Sequence, residues 1–311
     1  MQTKELTLKN IIKSPLNYIG GKSKILDQIL PLFSTNINYF VDLFSGGCNV
    51  GINVSANKVF FNDNLSFLVD MYRIFQKNEL EKITNYIENK IKELNLSQTN
   101  EAGYKTLRNQ YNQNKNPLDL FVLIAFSFNH QIRFNNNHEF NNPFGRERSS
   151  FNPKMKQKLV AFINRIKEIQ PVFSDKCFSE FDFSELQSND FVYCDPPYLI
   201  TTGTYNDGKR GFKGWTQKEE YQLLDLLDNL NGRNIKFALS NVLEHKGKSN
   251  EILKNWLRYN PNYRVNYIDF HYANSNYQTL VRDKKASVEV LITNYEPPKK
   301  QDLFSINNIE L

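Results

Sequence analysis

The chain has only three cysteines in 311 residues, Cys48, Cys177 and Cys194, odd in number and far apart. They fit neither a disulfide framework nor a zinc site, so reduced thiols and no metal are expected. No apolar run approaches the roughly 20 residues that a bilayer-spanning helix requires. The opening MQTKELTLKNIIK lacks the apolar block and small-residue cleavage site of a signal peptide. A cytoplasmic location without membrane contact is the expectation, and no internal repeat is visible.

What is present suits a folded enzyme-sized unit. A hydrophobic content of 40% with 14% aromatics is ample for a packed core, in one large domain or two modest ones. The net charge of +6 permits a polyanionic partner without demanding one. Richness in Asn, Lys, Ile, Phe and Tyr has the look of an AT-rich coding bias, which accounts for part of the basic excess.

The pattern along the chain is α/β. A helical stretch is expected at Ser23 to Phe33, a strand at Tyr39 to Phe44 running into a glycine turn, and a second strand at Val59 to Asn62. Helical periodicity then holds from Ser66 to Leu96 and from Tyr104 to Phe128, with Ile83, Ile87 and Ile91 spaced by four. His130 to Pro153 breaks both periodicities and reads as a long loop or hairpin, the kind of segment that carries function. Alternation resumes with helices at Lys154 to Ile169, Thr216 to Leu230 and Asn250 to Arg258. Strands are expected at Phe191 to Cys194, Lys236 to Leu239, Tyr263 to Ile268 and Ser287 to Asn294, the last two as an antiparallel edge hairpin. The expected architecture is a Rossmann-like, mostly parallel sheet formed by residues 1–70 and 171–296. A helical insertion at 71–170 carries the hairpin, and a tail at 297–311 follows Pro297-Pro298.

The most specific chemical signal is Asp195-Pro196-Pro197-Tyr198, directly after the strand Phe191 to Cys194. Open parallel sheets hold ligands beyond the carboxyl ends of their strands, and the prolines stiffen the turn. An exocyclic amino group on a nucleobase is a poor nucleophile, because its lone pair is delocalised into the ring. The Asp195 carboxylate and the Pro196 carbonyl can each accept one amino hydrogen, favouring a pyramidal nitrogen and stabilising the charge that develops there. Tyr198 can stack on the base, worth about 1 to 3 kcal/mol. The plainer alternative is a tight turn that merely caps a strand.

A second signal is Phe40-Val41-Asp42-Leu43-Phe44-Ser45-Gly46-Gly47, a strand entering a glycine turn through which backbone can approach a ligand closely. Asp63, just after the second strand, stands where an acid can accept ribose hydroxyls. Upstream, Asn17, Tyr18 and the Gly20-Gly21 turn precede Lys22, which with turn amides can receive an anionic carboxylate. Ordinary β-α turns, a solvated lysine and, for Asp182, a surface helix cap are the alternatives.

Taken in order, Asn17 to Lys22, Asp42 to Gly47, Asp63, Asp182 and Asp195 to Tyr198 resemble the Dam-like class of bacterial DNA adenine methyltransferases, from about Ser14 to Tyr295. The resemblance implies S-adenosylmethionine as cofactor, with Asp42, Phe44, Ser45, Gly46 and Asp195 around it. It places Asn17, Tyr18 and Lys22 by its methionine and catalytic side, Asp63 on the ribose and Asp182 on the adenine amino group. The stretches Phe128 to Asn135 and Phe140 to Arg146 are similar to the hairpin with which that class enters double-stranded DNA. Arg133 would then read a guanine, with Asn135, Asn141, Pro143 and Arg146 also on the DNA. The stretch Arg282 to Ile292 also resembles the closing region of such enzymes. One departure is Cys48, where the family often has a second glycine, which predicts a cofactor loop sitting less closely on the methionine.

The implied activity is site-specific adenine-N6 methylation with base flipping by a monomer, in a restriction-modification setting. A separately acting cognate endonuclease is left open as a partner. Rival readings are an RNA adenine-N6 methyltransferase with the same tetrapeptide, a protein-glutamine methyltransferase, which usually has Asn at its first position, and a DNA-binding relative that has lost catalysis. The helical insertion disfavours the first, Asp195 the second, and intact Asp63, Asp195 and Tyr198 the third.

Overall fold

The structure, a computed structural model, describes residues 11–18, 20–201, 214–269 and 287–298. Its strands are β1 (Ile37–Asp42), β2 (Ala56–Asn62), β3 (Val172–Ser174), β4 (Phe191–Cys194), β5 (Lys236–His245), β6 (Lys248–Ser249), β7 (Arg264–Ile268) and β8 (Ser287–Thr293). They form one sheet in the order β3-β2-β1-β4-β5-β8-β7, with β6 paired to β5 off that path. Strands β3, β2, β1, β4 and β5 run parallel. β8 is antiparallel to both neighbours, so the expected edge hairpin forms with β8 inserted between β5 and β7.

Period-two side-chain alternation splits the core between the two faces of this sheet. Phe40, Phe191 and Tyr193 point into one layer with Phe33 and the helices α2 (Ser66–Lys77), α3 (Leu80–Glu93), α4 (Glu101–Asn114), α5 (Pro117–Phe126) and α6 (Pro153–Ile169). Val41, Val192, Cys194, Phe237 and Leu239 point into the other, against α7 (Gln217–Gly232) and α8 (Glu251–Tyr259).

The helical insertion is α2 to α6, placed between β2 and β3. Its centre is α5, whose run Leu120 to Phe126 is apolar and buried, as in a helix surrounded by others. Asn116 caps it by accepting from the Leu118 amide, with Pro117 in the first turn where a missing N–H costs nothing. Asn100, Asn152 and Asn250 cap α4, α6 and α8 likewise. The expected boundary at residue 71 falls inside α2, whose Tyr72 ring lies 5.8 Å from Phe173 of β3 and 5.6 Å from Phe162 of α6. Insertion and sheet therefore share one core.

Several expected elements differ in extent. The helix expected over Ser23 to Phe33 reduces to α1 (Leu26–Ile29) and a 3-10 turn at Leu30–Leu32. Pro31 lacks the N–H that would continue the α ladder. β5 runs on to His245 through the buried Ser240 and Asn241, whose polarity hides the continuation. Ser240 is satisfied by the Tyr193 hydroxyl at 2.8 Å and Asn241 by Glu220 at 3.3 Å. The three-residue edge strand β3 has too little pattern to be foreseen. The expected tail lies almost wholly outside the described residues, as does Arg282 to Ala286.

Candidate active site

The strand order reverses between β1 and β4, since the chain builds outward from β1 through β2 to β3 on one side and from β4 to β5 on the other. Helical crossovers leave that point uncovered at the carboxyl ends of the strands. Asp42 at the end of β1 pairs in register with Tyr193 of β4, and Asp195 follows one residue after that strand.

There Lys22 meets Asp195, its Nζ 2.7 Å from Asp195 Oδ1 and 3.7 Å from Glu289 Oε1. Lys22 is only 3% exposed and also donates to the Gly20 carbonyl at 2.9 Å. The Tyr198 hydroxyl donates to Asp195 Oδ1 at 3.1 Å and to Glu289 Oε1 at 3.2 Å, and the Lys22 ammonium stands 5.1 Å from the Tyr198 ring centre. Asp195 keeps 18% side-chain exposure, and among the described residues its Oδ2 has no partner. Burial raises the Asp195 carboxyl above the usual range and Lys22 draws it back. The site thus presents a carboxylate oxygen outward while its other oxygen is anchored. Lys22, expected to receive a ligand's carboxylate, is engaged here by carboxylates of the chain itself.

The second part of the site is the turn after β1. Gly46 has φ +45°, and a side chain there would lie 2.8 Å from the Tyr18 ring, so what approaches this glycine most closely is Tyr18. Ser45 donates its amide to the Asn62 carbonyl at 2.8 Å, tying the turn to β2. Asp63 Oδ2 accepts from the Gly46 amide and Oδ1 from the Leu65 amide, each at 2.9 Å, leaving further lone pairs on both oxygens. Asp42 is fully buried, its Oδ2 accepting from the Gly51 amide at 3.0 Å. Burial pushes its carboxyl up to about 8, opposed by that bond and reinforced by Asp195 and Asp63. Cys48, where the resembled family often has a second glycine, adopts φ +57° and is buried. Phe44 packs against Phe178 and Trp215, at 5.4 and 5.7 Å. Asp182 is exposed in the loop after β3, its carboxylate accepting from the Ser184 amide, which holds its pKa down; it is not gathered into the Lys22–Asp195 cluster.

The third part is the hairpin. Antiparallel bridges join Ser127 to Phe144 and Phe134 to Phe140, and the rings of Phe134 and Phe140 meet edge to face at 5.7 Å in the core. Asn135 folds the tip, accepting from the Asn137 and Glu139 amides and donating to the Glu139 carboxylate. Pro143 is exposed and its carbonyl accepts from the Phe128 amide. Arg146 is exposed and paired with Glu101 at 2.6 Å. On the paired arms, Arg133 Nε and Asn141 Oδ1 are buried without a hydrogen-bond partner among the described residues. Asn17 Nδ2 donates to the Asn129 carbonyl at 2.9 Å, tying the N-terminal motif to the hairpin base.

The family model for D12 class N6 adenine-specific DNA methyltransferases matches residues 18–269. The chain belongs to that class. It is 56% identical over 288 residues to the modification methylase StsI of Streptococcus sanguinis, covering 93% of this chain and 44% of that protein. It is 54% identical over 284 residues to the type II methyltransferase M.FokI of Planomicrobium okeanokoites, covering 91% and 43%. Similarity to the DNA adenine methylase of Escherichia coli (strain K12) is 25% over 230 residues, covering 73% and 79%. The chain therefore spans less than half the length of the first two relatives.

The sheet of this D12 chain, parallel with an antiparallel edge, is consistent with the fold of S-adenosylmethionine-dependent methyltransferases. No helix among its described residues is long and apolar enough to cross a membrane. Sequence reasoning missed Glu289, although an acid between Val288 and Val290 in an apolar strand was a signal, since such groups are rarely buried without partners. Trp215 was missed for lack of any local pattern.

Proposed function

We propose that this chain transfers a methyl group from S-adenosylmethionine to N6 of an adenine flipped out of double-stranded DNA, as the modification activity of a restriction-modification system. The observation that carries the reading is Asp195, held by Lys22 and Tyr198 at the sheet's switch point with one carboxylate oxygen turned outward. Names of the relatives, modification methylase and type II methyltransferase, support the setting.

The donor set fits such a cofactor: an aspartate oriented by two backbone amides at one strand end and a tight turn at the next. Asp63 would hold the ribose, Asp182 the cofactor's adenine amino group, and Tyr18, Phe44 and the Ser45-Gly46 turn the rest, with Asp42 fixing the turn from beneath. S-adenosylmethionine supplies an electrophilic methyl group carried on a sulfonium centre. Asp195 Oδ2 and the Pro196 carbonyl accept the two amino hydrogens of the target base, localising its lone pair toward the methyl. Tyr198, 7% exposed, stacks on the base once its ring face is uncovered. Arg133, with Asn141 beside it, contacts base edges in the major groove, and Asn135, Pro143 and Arg146 flank the DNA.

Methyl transfer measured on duplex DNA and on the same sequence transcribed as RNA tests the reading. Transfer to DNA alone is expected, and transfer to RNA alone overturns it. A 2-aminopurine at the target position should brighten on binding; unchanged fluorescence with active enzyme would remove the flipping step.

A further inference from the structure

Glu289 lies in the middle of β8 between Val288 and Val290, and is 3% exposed. A carboxylate in that position is costly unless paired. Two of the donors that hold Asp195 also reach it: the Tyr198 hydroxyl, 3.1 Å from Asp195 and 3.2 Å from Glu289, and the Lys22 ammonium, 2.7 Å from Asp195 and 3.7 Å from Glu289. The two acids reach one lysine and one tyrosine from opposite elements, the β4 loop and β8.

That arrangement bears on a difficulty in the reaction proposed above. Lys22 at 2.7 Å weakens Asp195 as an acceptor for an amino hydrogen, and a lysine–aspartate pair alone is neutral. As N6 bonds to the methyl carbon and the carbon–sulfonium bond breaks, N6 carries a positive charge until a proton passes to solvent, and an Asp195 released from Lys22 stabilises that charge better. We propose that Glu289 is a positioning residue that draws Lys22 and the Tyr198 hydroxyl off Asp195 as the target amino group arrives, freeing Asp195 for the base. The inference rests on the proposed adenine chemistry. It needs no rearrangement of backbone, because both donors already reach both acids.

Among the described residues, the groups around Asp195 are Lys22 from the N-terminal segment, Glu289 from β8, Tyr198 from its own loop, Asp42 from β1, and Tyr193 and Cys194 from β4. An ionised Glu289 sharing Lys22 and the Tyr198 hydroxyl with Asp195 competes for the groups that favour the Asp195 carboxylate, so removing its charge lets Lys22 settle on Asp195 alone. The acid limb of the rate then moves to lower pH even as the plateau falls.

The test is Glu289→Gln, measured by single-turnover methyl transfer against pH beside Asp195→Asn, with cofactor and DNA affinities determined separately. Expected are a fall of roughly tenfold or more in the plateau rate, affinities within roughly threefold of the parent, and a downward displacement of the acid limb, with Glu289→Asp intermediate in rate. A parent-like rate and pH profile overturns the inference, as does loss of ligand affinity in step with rate and no movement of the limb. Should the Gln variant fail to fold, Glu289→Asp carries the test, and a fully parent-like rate in it overturns the proposal. Retained transfer in Asp195→Asn would instead overturn the underlying reaction, so the two failures are distinguishable.

Discussion

Asn17 donates its side-chain amide to the carbonyl of Asn129 across 2.9 Å, joining segments 112 residues apart in the chain. Asn129 and His130 both have positive φ, so this bond holds a tightly bent hairpin base against the N-terminal motif that ends in Lys22. It links the part proposed to read DNA with the part proposed to act on the base. Asn17→Ala is expected to lower kcat/KM for DNA by roughly fivefold, the worth of about 1 kcal/mol for one neutral hydrogen bond. Cofactor affinity should be unchanged. Steady-state kinetics with each substrate varied in turn check this, and a change confined to the cofactor would place Asn17 elsewhere.

Asp195→Ala is expected to abolish transfer with only a modest change in cofactor affinity, because Oδ2 is proposed to serve the target base while Oδ1 is held by Lys22 and Tyr198. Calorimetry of cofactor binding beside a single-turnover assay separates the two roles. Lost binding with surviving transfer would reverse the assignment. Tyr198→Ala should weaken the complex with flipped 2-aminopurine DNA by about 1 to 3 kcal/mol, the worth of one stacked base.

Arg133 is the residue proposed to read sequence, and its buried, unpartnered Nε distinguishes it from Arg146, whose guanidinium pairs with Glu101. Arg133→Ala should lose on the order of 1 to 3 kcal/mol of discrimination at one guanine, with the largest loss on the proper site itself. A phosphate contact would instead weaken all sequences alike and lower the salt slope by about one unit. Initial rates across a panel of singly substituted duplexes decide between them. Undiminished preference at every position would eliminate the guanine contact.

Asp42 gives a pH prediction whose sign is fixed by its burial. Its carboxyl lies at about 8 in the folded chain against an ordinary value of 3.8, so the folded state binds more protons between those limits. Its contribution to stability is then full at low pH and is lost as pH rises from about 4 toward 8. Asp42→Asn keeps an oxygen for the Gly51 amide and carries no charge. It should raise the melting temperature at pH 8 by an amount on the order of a few kcal/mol in stability, and change little near pH 4. Equal effects at both pH values would show that Asp42 does not titrate in this window.

Much of the chain's design is written locally, which is why it could be read without coordinates. The alternation in Phe40 to Asp42 and Phe191 to Cys194 follows from side chains pointing to opposite faces, and the helices of the insertion follow from apolar spacing and from Asn caps that act within three residues. The tetrapeptide Asp195 to Tyr198 stands out in the sequence because its residues are adjacent and follow a buried strand. Legibility ended where polarity and burial disagree. Ser240 and Asn241 concealed the length of β5, because their partners, Tyr193 and Glu220, lie on other elements. Pro31 cut short a helix whose apolar spacing alone looked continuous.

By itself, then, the sequence determined an α/β sheet with a helical insertion, the strand that delivers Asp195, and the residue types able to act on an amino group. Only the tertiary structure decided which charges share the site. Lys22, Asp195, Tyr198 and Glu289 come from the N-terminal segment, the β4 loop and an antiparallel strand near the end of the fold, and no spacing along the chain encodes their meeting. Pairing of β8 beside β5, with the register Val242 opposite Glu289, carries that acid to the switch point. A buried carboxylate is tolerated there because a lysine and a tyrosine reach it through space, a condition set by the packing of the whole sheet.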